Sequence, residues 1–248
     1  MKKFYVYCVV EGIEELPHSL HGVDGRPVRL LKRDEFSLLV SDYAAERVPV
    51  TRENVMAHAA VMQNVLKRTT PLPFRFGTII TEEQLDKFLT ARRDALYSKL
   101  EIVRGCVEMN VKIIRDANST ELLVTSGSGK EKPGTAFLVE KRREILAGEA
   151  RAAEAKRVAE WLEGHVAELV KEVKADTDPT SKFKPNSTSK LLVAAAHLVE
   201  RNVIEEFRKN VAEARRQRPE LHFLVSGPWA PYSFANLDLE FKTHFGVS

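Results

Sequence analysis

"LLVAAAHLV", Leu191–Val199, is the stretch on which the reading of the fold turns. Its only polar side chain is His197, and by pattern it suits a buried strand as well as a helix. A helix here would run unbroken into the amphipathic segment Val203–Arg216, where Val203, Ile204, Phe207 and Val211 form the buried stripe. A strand keeps the two elements separate, and strand is the reading adopted.

The neighbouring segments follow from that choice. On the C-terminal side, "LHFLVSG" (Leu221–Gly227) reads as a strand ended by Gly-Pro. On the N-terminal side, everything from Thr135 to about Ala175 reads helical. About forty residues at about 1.5 Å each make a rod of about 60 Å. Gly148 is the candidate bend. The first half of the rod is charged and expected to project in part beyond the core. The second half is amphipathic through Val158, Trp161, Leu162, His165, Val166, Leu169 and Val173. Before it, "GCVEMNVKII" (Gly105–Ile114) alternates, with Cys106, Glu108, Asn110 and Lys112 opposite Val107, Met109, Val111 and Ile113, as a half-buried strand does. Two polar stretches, "DANSTELLVTSGSGKEKPG" and "DTDPTSKFKPNSTSK", read as a break and a loop.

The first hundred residues differ in kind. "FYVYCVV" (Phe4–Val10) is an opening strand, Pro17–Pro27 a loop, and "VRLL" and "FSLLVSDY" two strands joined by a hairpin at Lys32–Glu35. Thr51 is a candidate N-cap for a helix whose buried face would hold Val55, Ala59, Met62 and Leu66. "PLPFRFGTII" is held extended by its prolines, at a sheet edge. Thr81 and Gln84 form a capping box before "EEQLDKFLTARRDALYSKL", with Leu85, Phe88, Leu89, Leu96 and Leu100 as the stripe. The whole is α+β in two domains: an N-terminal α+β domain, 1–104, and a C-terminal domain with the tail, 105–248. The second is close to a ferredoxin-like β-α-β-β-α-β pattern with one strand weak or lost, and so a modified version of it, carrying a long helix and an extended C-terminal tail.

Composition and motifs exclude more than they assert. With 44% apolar residues the chain can bury a core. No run reaches the roughly 20 apolar residues of a bilayer span, and no cleavage site follows the short apolar start, so a cytosolic, soluble protein is expected, with no lipid membrane as partner. Cys8 and Cys106 read as reduced core thiols. A net charge of +3, with both signs interspersed, makes no case for nucleic acid. "TSGSGKEK" fails as a phosphate loop, because Val124 and Glu131 stand where Gly and Ser or Thr are needed. The seven histidines show no metal-ligand spacing, and Ser226 lacks a nucleophile elbow. His58 and His165, beside apolar stripes, read as hydrogen-bonded histidines at a core edge. No catalytic residue, cofactor site or metal site is expected.

"FYVYCVV", "FSLLVSDY", "ENVMAHAAVMQNVL", "PLPFRFGTII", "RGCVEMNVKI", "LLVAAAHLVERNVIEEFRKNV" and "LVSGPWAPYSF" occur in one order from about residue 4 to residue 234. Together they resemble the gas vesicle protein GvpF/GvpL family. The chain departs from the family pattern at Cys106 and Asn110, where Lys and Gly are usual, and at Cys8, where Gly is common. The resemblance implies an accessory or minor structural protein of gas vesicles within the cytoplasm. It also implies association with the hydrophobic shell protein GvpA and other accessory proteins during assembly, two α+β domains, and no catalysis or cofactor. The alternative is an enzyme or other binding protein whose site is built from residues distant in sequence.

One stretch bears on where a partner would dock. Leu221–Leu237 contains no charged residue in a chain that is 29% charged. "LHFLVS" reads as a core strand, and "WAPYSF" as a stiff extended tail, since Pro228 and Pro231 cannot donate to a ladder. Trp229, Tyr232 and Phe234 then either pack on the protein itself or form a partner-binding surface.

Overall fold

Phe4–Val10 is an unbroken apolar run rather than an alternating one, the signature of a strand covered on both faces. In the computed structural model, which describes residues 2–17, 19–116, 133–176, 189–235 and 237, these residues belong to β1 (Lys3–Val10) and are almost completely buried. The chain divides into two units, one of residues 1–108 and 228–248, the other of residues 109–227. The sequence reading placed the break at 104/105 and kept the tail with the second domain; the contacts group Pro228 onward with the first unit.

In the first unit β1 pairs antiparallel with β3 (Phe36–Asp42), which pairs antiparallel with β2 (Arg29–Arg33) through the expected hairpin. On the other side of β1 lie β4 (Leu72–Pro73) and β5 (Ile79–Thr81), so the proline-rich stretch does sit at an edge. α1 (Arg52–Leu66) is capped by Thr51, whose hydroxyl accepts the Asn54 N–H. Its buried face is Asn54, His58, Val61, Met62, Val65 and Leu66, rotated from the expected stripe, and Val55 is exposed. The polar pair turns inward because partners wait there. Asn54 hydrogen-bonds Asp24 at 2.8 Å, and His58 Nδ1 lies 2.8 Å from the Tyr5 hydroxyl.

The Pro17–Pro27 loop is tied to the same core. Gly22 passes so close to Tyr7 that a Cβ on it would lie 1.9 Å from the phenol oxygen. That oxygen accepts the Val23 N–H at 2.9 Å and also contacts Ser41 Oγ, so it has no room to retreat. The capping box of Thr81 and Gln84 is present. The helix behind it is two helices, α2 (Glu82–Ala91) and α3 (Arg93–Val103), separated by a non-helical Arg92. All five predicted stripe residues are nonetheless buried. Cys8 and Cys106 are buried free thiols.

The second unit has the order β6 (Cys106–Asp116), α4 (Pro133–Val166), β7 (Val170–Asp176), β8 (Ser189–Glu200), α5 (Ile204–Gln217) and β9 (Leu221–Trp229), with β6 and β9 each beginning or ending in the first unit. The strands lie in the order β7-β8-β6-β9. Leu191–Val199 is therefore strand. The long helix is shorter than expected. It runs across Gly148 as one helix but stops at Val166, and a short 3-10 turn leads into β7. Val170 and Val173 fit a helical stripe by spacing, but they pair with Val199 and His197 in an antiparallel ladder. That ladder supplies the strand the sequence reading had taken as weak or lost. α4 buries Ala155, Val158, Ala159, Leu162 and Val166, and α5 buries Phe207, Val211 and Ala214. Residues 117–132 and 177–188, including the Gly129-Lys130 pair, lie outside the described residues.

Each unit contains a buried histidine. His197 is fully enclosed, with Nδ1 3.3 Å from the Met109 carbonyl oxygen and no partner for Nε2 among the described residues. Burial holds both His58 and His197 down to about 4. An unfolded histidine titrates near about 6.5, so between these values the unfolded chain binds more protons than the folded one. The stability involved is complete above about pH 6.5 and is lost as pH falls toward 4, by about 2 kcal/mol per histidine at pH 5. In urea unfolding, His197→Leu should shrink the difference between pH 7.5 and pH 5 by about 2 kcal/mol while changing stability at pH 7.5 by less than about 1 kcal/mol. An unchanged difference would show that His197 is not buried as the neutral form. Gly22→Ala should cost about 1–3 kcal/mol in the same assay, as overpacking does; a variant of wild-type stability would show that Tyr7 can move aside.

Candidate partner-binding site

The uncharged segment Leu221–Leu237 begins as a strand and does not end where its first proline would suggest. β9 continues through Gly227 and Pro228 to Trp229. It lies last in the strand order, and an edge strand tolerates a residue without an N–H. Gly227 has φ 121°, a conformation that side-chain-bearing residues rarely adopt. Gln63 Nε2 donates to the Pro228 carbonyl at 3.2 Å.

The tail itself is not extended. After Ala230 and Pro231 the chain forms one helical turn, α6 (Tyr232–Ala235), with the Ala235 N–H donating to the Pro231 carbonyl at 2.9 Å. Proline is suited to the start of such a turn because the N–H it lacks would have no partner there. The turn packs against β4 and α3 within the first unit.

Two sets of hydrogen bonds hold α6 in place. The Tyr232 hydroxyl lies 2.8 Å from His58 Nε2, and the other nitrogen of that ring meets Tyr5. A neutral imidazole has one donor and one acceptor nitrogen, so one of the two phenols donates to it and the other accepts. The Gly77 N–H completes the line by donating to the Tyr5 oxygen at 3.2 Å. Burial raises both Tyr5 and Tyr232, so neither phenol ionises near neutral pH. The second set is on Ser233, whose N–H and hydroxyl donate to the two oxygens of Glu108 at 2.8 and 2.9 Å.

The three candidate residues therefore have different places. Phe234 is buried at 5% exposure, beside the buried Ala230 and Ala235. Tyr232 is 38% exposed, but its hydroxyl is bonded inward. Trp229 is 42% exposed, on the strand before the turn. Upstream on β9, Leu224 and Val225 are also exposed, while Leu221 and Phe223 are buried. Only the first part of β9 alternates as a core strand does.

Sequence reasoning missed His58 and Glu108 as the residues that position the tail. His58 was read as a core-edge histidine and Glu108 as lying opposite the apolar side of its strand. Glu108 and Ser233 are 125 residues apart, a distance at which spacing carries no signal. His165 is hydrogen-bonded as expected, through the Trp161 carbonyl and Gln217. Among the described residues no group of three or more His, Cys, Asp or Glu could hold a metal ion, and no helix is long and apolar enough to cross a membrane.

Known proteins match the chain over nearly its full length. It is 26% identical to gas vesicle protein L of Streptomyces sp. (strain CB03234), over 94% of this chain and 92% of that protein. It is 25% identical to gas vesicle protein F1 of Halobacterium salinarum, over 96% and 95%. Its fold is similar to the crystal structure of GvpF from Anabaena sp. PCC7120, with a TM-score of 0.76 at 20% identity over 96% of this chain and 98% of that one. The corresponding values for GvpF from Microcystis aeruginosa are 0.72, 23%, 95% and 99%. The family described as "Gas vesicle synthesis protein GvpL/GvpF" matches residues 3–236, and the chain belongs to that family.

Proposed function

We propose that the chain is an accessory protein of gas vesicle formation that binds the hydrophobic shell protein GvpA and supports assembly, without catalysing a reaction. It acts at the gas vesicle within the cytoplasm, alongside other vesicle accessory proteins. The observation that carries this reading is the family match across residues 3–236. The chemistry of the buried groups supports a binding role. Tyr5, His58 and Tyr232 satisfy one another by hydrogen bonds, which ties these polar groups to the fold. On the surface, Trp229, Leu224 and Val225 offer apolar side chains around the last strand, and aromatic anchors carry much of the energy of protein interfaces.

Affinity capture after co-expression with GvpA tests this directly. Wild type should retain the shell protein. Trp229→Ala should keep its circular dichroism spectrum and lose at least about tenfold in retention, as a side chain worth more than about 1.4 kcal/mol would require. Phe234→Ala should instead lower folding stability by about 3–5 kcal/mol, because it empties part of the core. Equal retention by folded Trp229→Ala would remove the tail as the docking surface. Failure of wild type to retain GvpA would overturn the direct partnership.

A further inference from the structure

β9 is the last strand in the order β7-β8-β6-β9, with no strand paired on its outer side among the described residues. A groove runs between this strand and α5. Its lining is largely apolar, with Phe223 and Val225 of β9, Val211 and Ala212 of α5, and Gly227. Leu224, on the opposite face of β9, is 53% exposed, so apolar surface flanks this edge on both faces. An edge strand with open sides is a template for a further strand, with main-chain hydrogen bonds giving affinity and alternate side chains giving specificity.

The α5 wall gives the groove a charge. Arg208 and Arg215 stand seven residues apart, two helical turns or about 10 Å, and both line it. Arg208 is already engaged, donating to the Gly227 carbonyl at 3.2 Å and to Glu205 at 2.7 Å, and it closes that end. The Arg215 side chain has no ion-pair or hydrogen-bond partner among the described residues, so the other end presents a cation beside apolar surface.

We propose that the groove between α5 and β9 docks an extended segment of a partner protein, which adds to the β9 edge with apolar side chains on the groove floor and an acidic side chain at Arg215. The proposal rests on the reading of the chain as an interaction protein, and it names a surface separate from the α6 turn. Apolar residues alternating with acidic ones suit this site because the strand period sends one set to the floor while neighbouring positions reach the α5 rim.

Fluorescence anisotropy on the full chain, with a labelled short peptide of alternating valine and glutamate, tests it. The glutamate peptide should bind about fivefold tighter than a twin carrying lysine for glutamate, and Arg215→Glu should reverse the preference. Main-chain N-methylation of the peptide and Val225→Asp in the protein should each weaken binding at least about tenfold, with the variant's fold checked by circular dichroism. No binding by wild type, or binding indifferent to peptide charge and N-methylation, overturns the proposal. Intact GvpA capture without peptide discrimination would remove the groove alone. Peptide discrimination without GvpA capture would remove the GvpA partnership and leave the groove standing.

Discussion

His58 sits between the hydroxyls of Tyr5 and Tyr232, so the first strand, the first helix and the C-terminal turn share one line of hydrogen bonds. In a low-dielectric core, leaving one of these groups without its partner costs about 1–3 kcal/mol. The line therefore fixes more than three side chains. It turns the polar edge of α1 inward, requires β1 to present its tyrosines to that helix, and demands that a residue near position 232 return to complete it. Ser233 on Glu108 and Gln63 on Pro228 reinforce the same return. The tail is part of the first unit because these polar groups need it as much as the apolar core does.

What the sequence revealed, and what it concealed, follows the same division. Elements declared by apolar periodicity and end signals were legible: β1 from its unbroken run, α1 from Thr51, α2 from the Thr81–Gln84 box, β8 from the conflict a helix would have created. Two misreadings arose where one pattern served two structures. Val170 and Val173 fit a helical stripe, and only pairing with β8 makes them a strand. In α1, a search for apolar positions alone favoured Val55, while the buried face holds Asn54 and His58, whose partners come from Asp24 and Tyr5. The tail was misread for a related reason. Pro228 and Pro231 rule out ladder donation at their own nitrogens, yet a strand edge and a helix start are the places where that loss matters least.

The C-terminal segment thus combines two kinds of surface within a few residues. Phe234 and Ala235 belong to the interior, while Trp229, Leu224 and Val225 are left in contact with water. Here the exposed side chains sit on a strand anchored at both ends, by the ladder of its own sheet and by the hydrogen-bonded turn that follows it. The family relationship says in which process such a surface would be used, and the local chemistry says which residues are available for it.

The second unit is an insertion in the first, which the chain leaves after Glu108 and rejoins at Pro228. On the ribosome this has a direct consequence in time. His58 and Glu108 are synthesised long before Tyr232 and Ser233, and about 127 residues separate Glu108 from the end of α6 at Ala235. At translation rates of about 5–20 residues per second, the N-terminal half waits roughly 6–25 s with its last helical turn unmade. During that interval β4 and α3 lack the packing that α6 provides. The hydrogen bonds of Tyr232 to His58 and of Ser233 to Glu108 therefore cannot form until the inserted unit has been synthesised, which makes them the last ties of the first unit to be made.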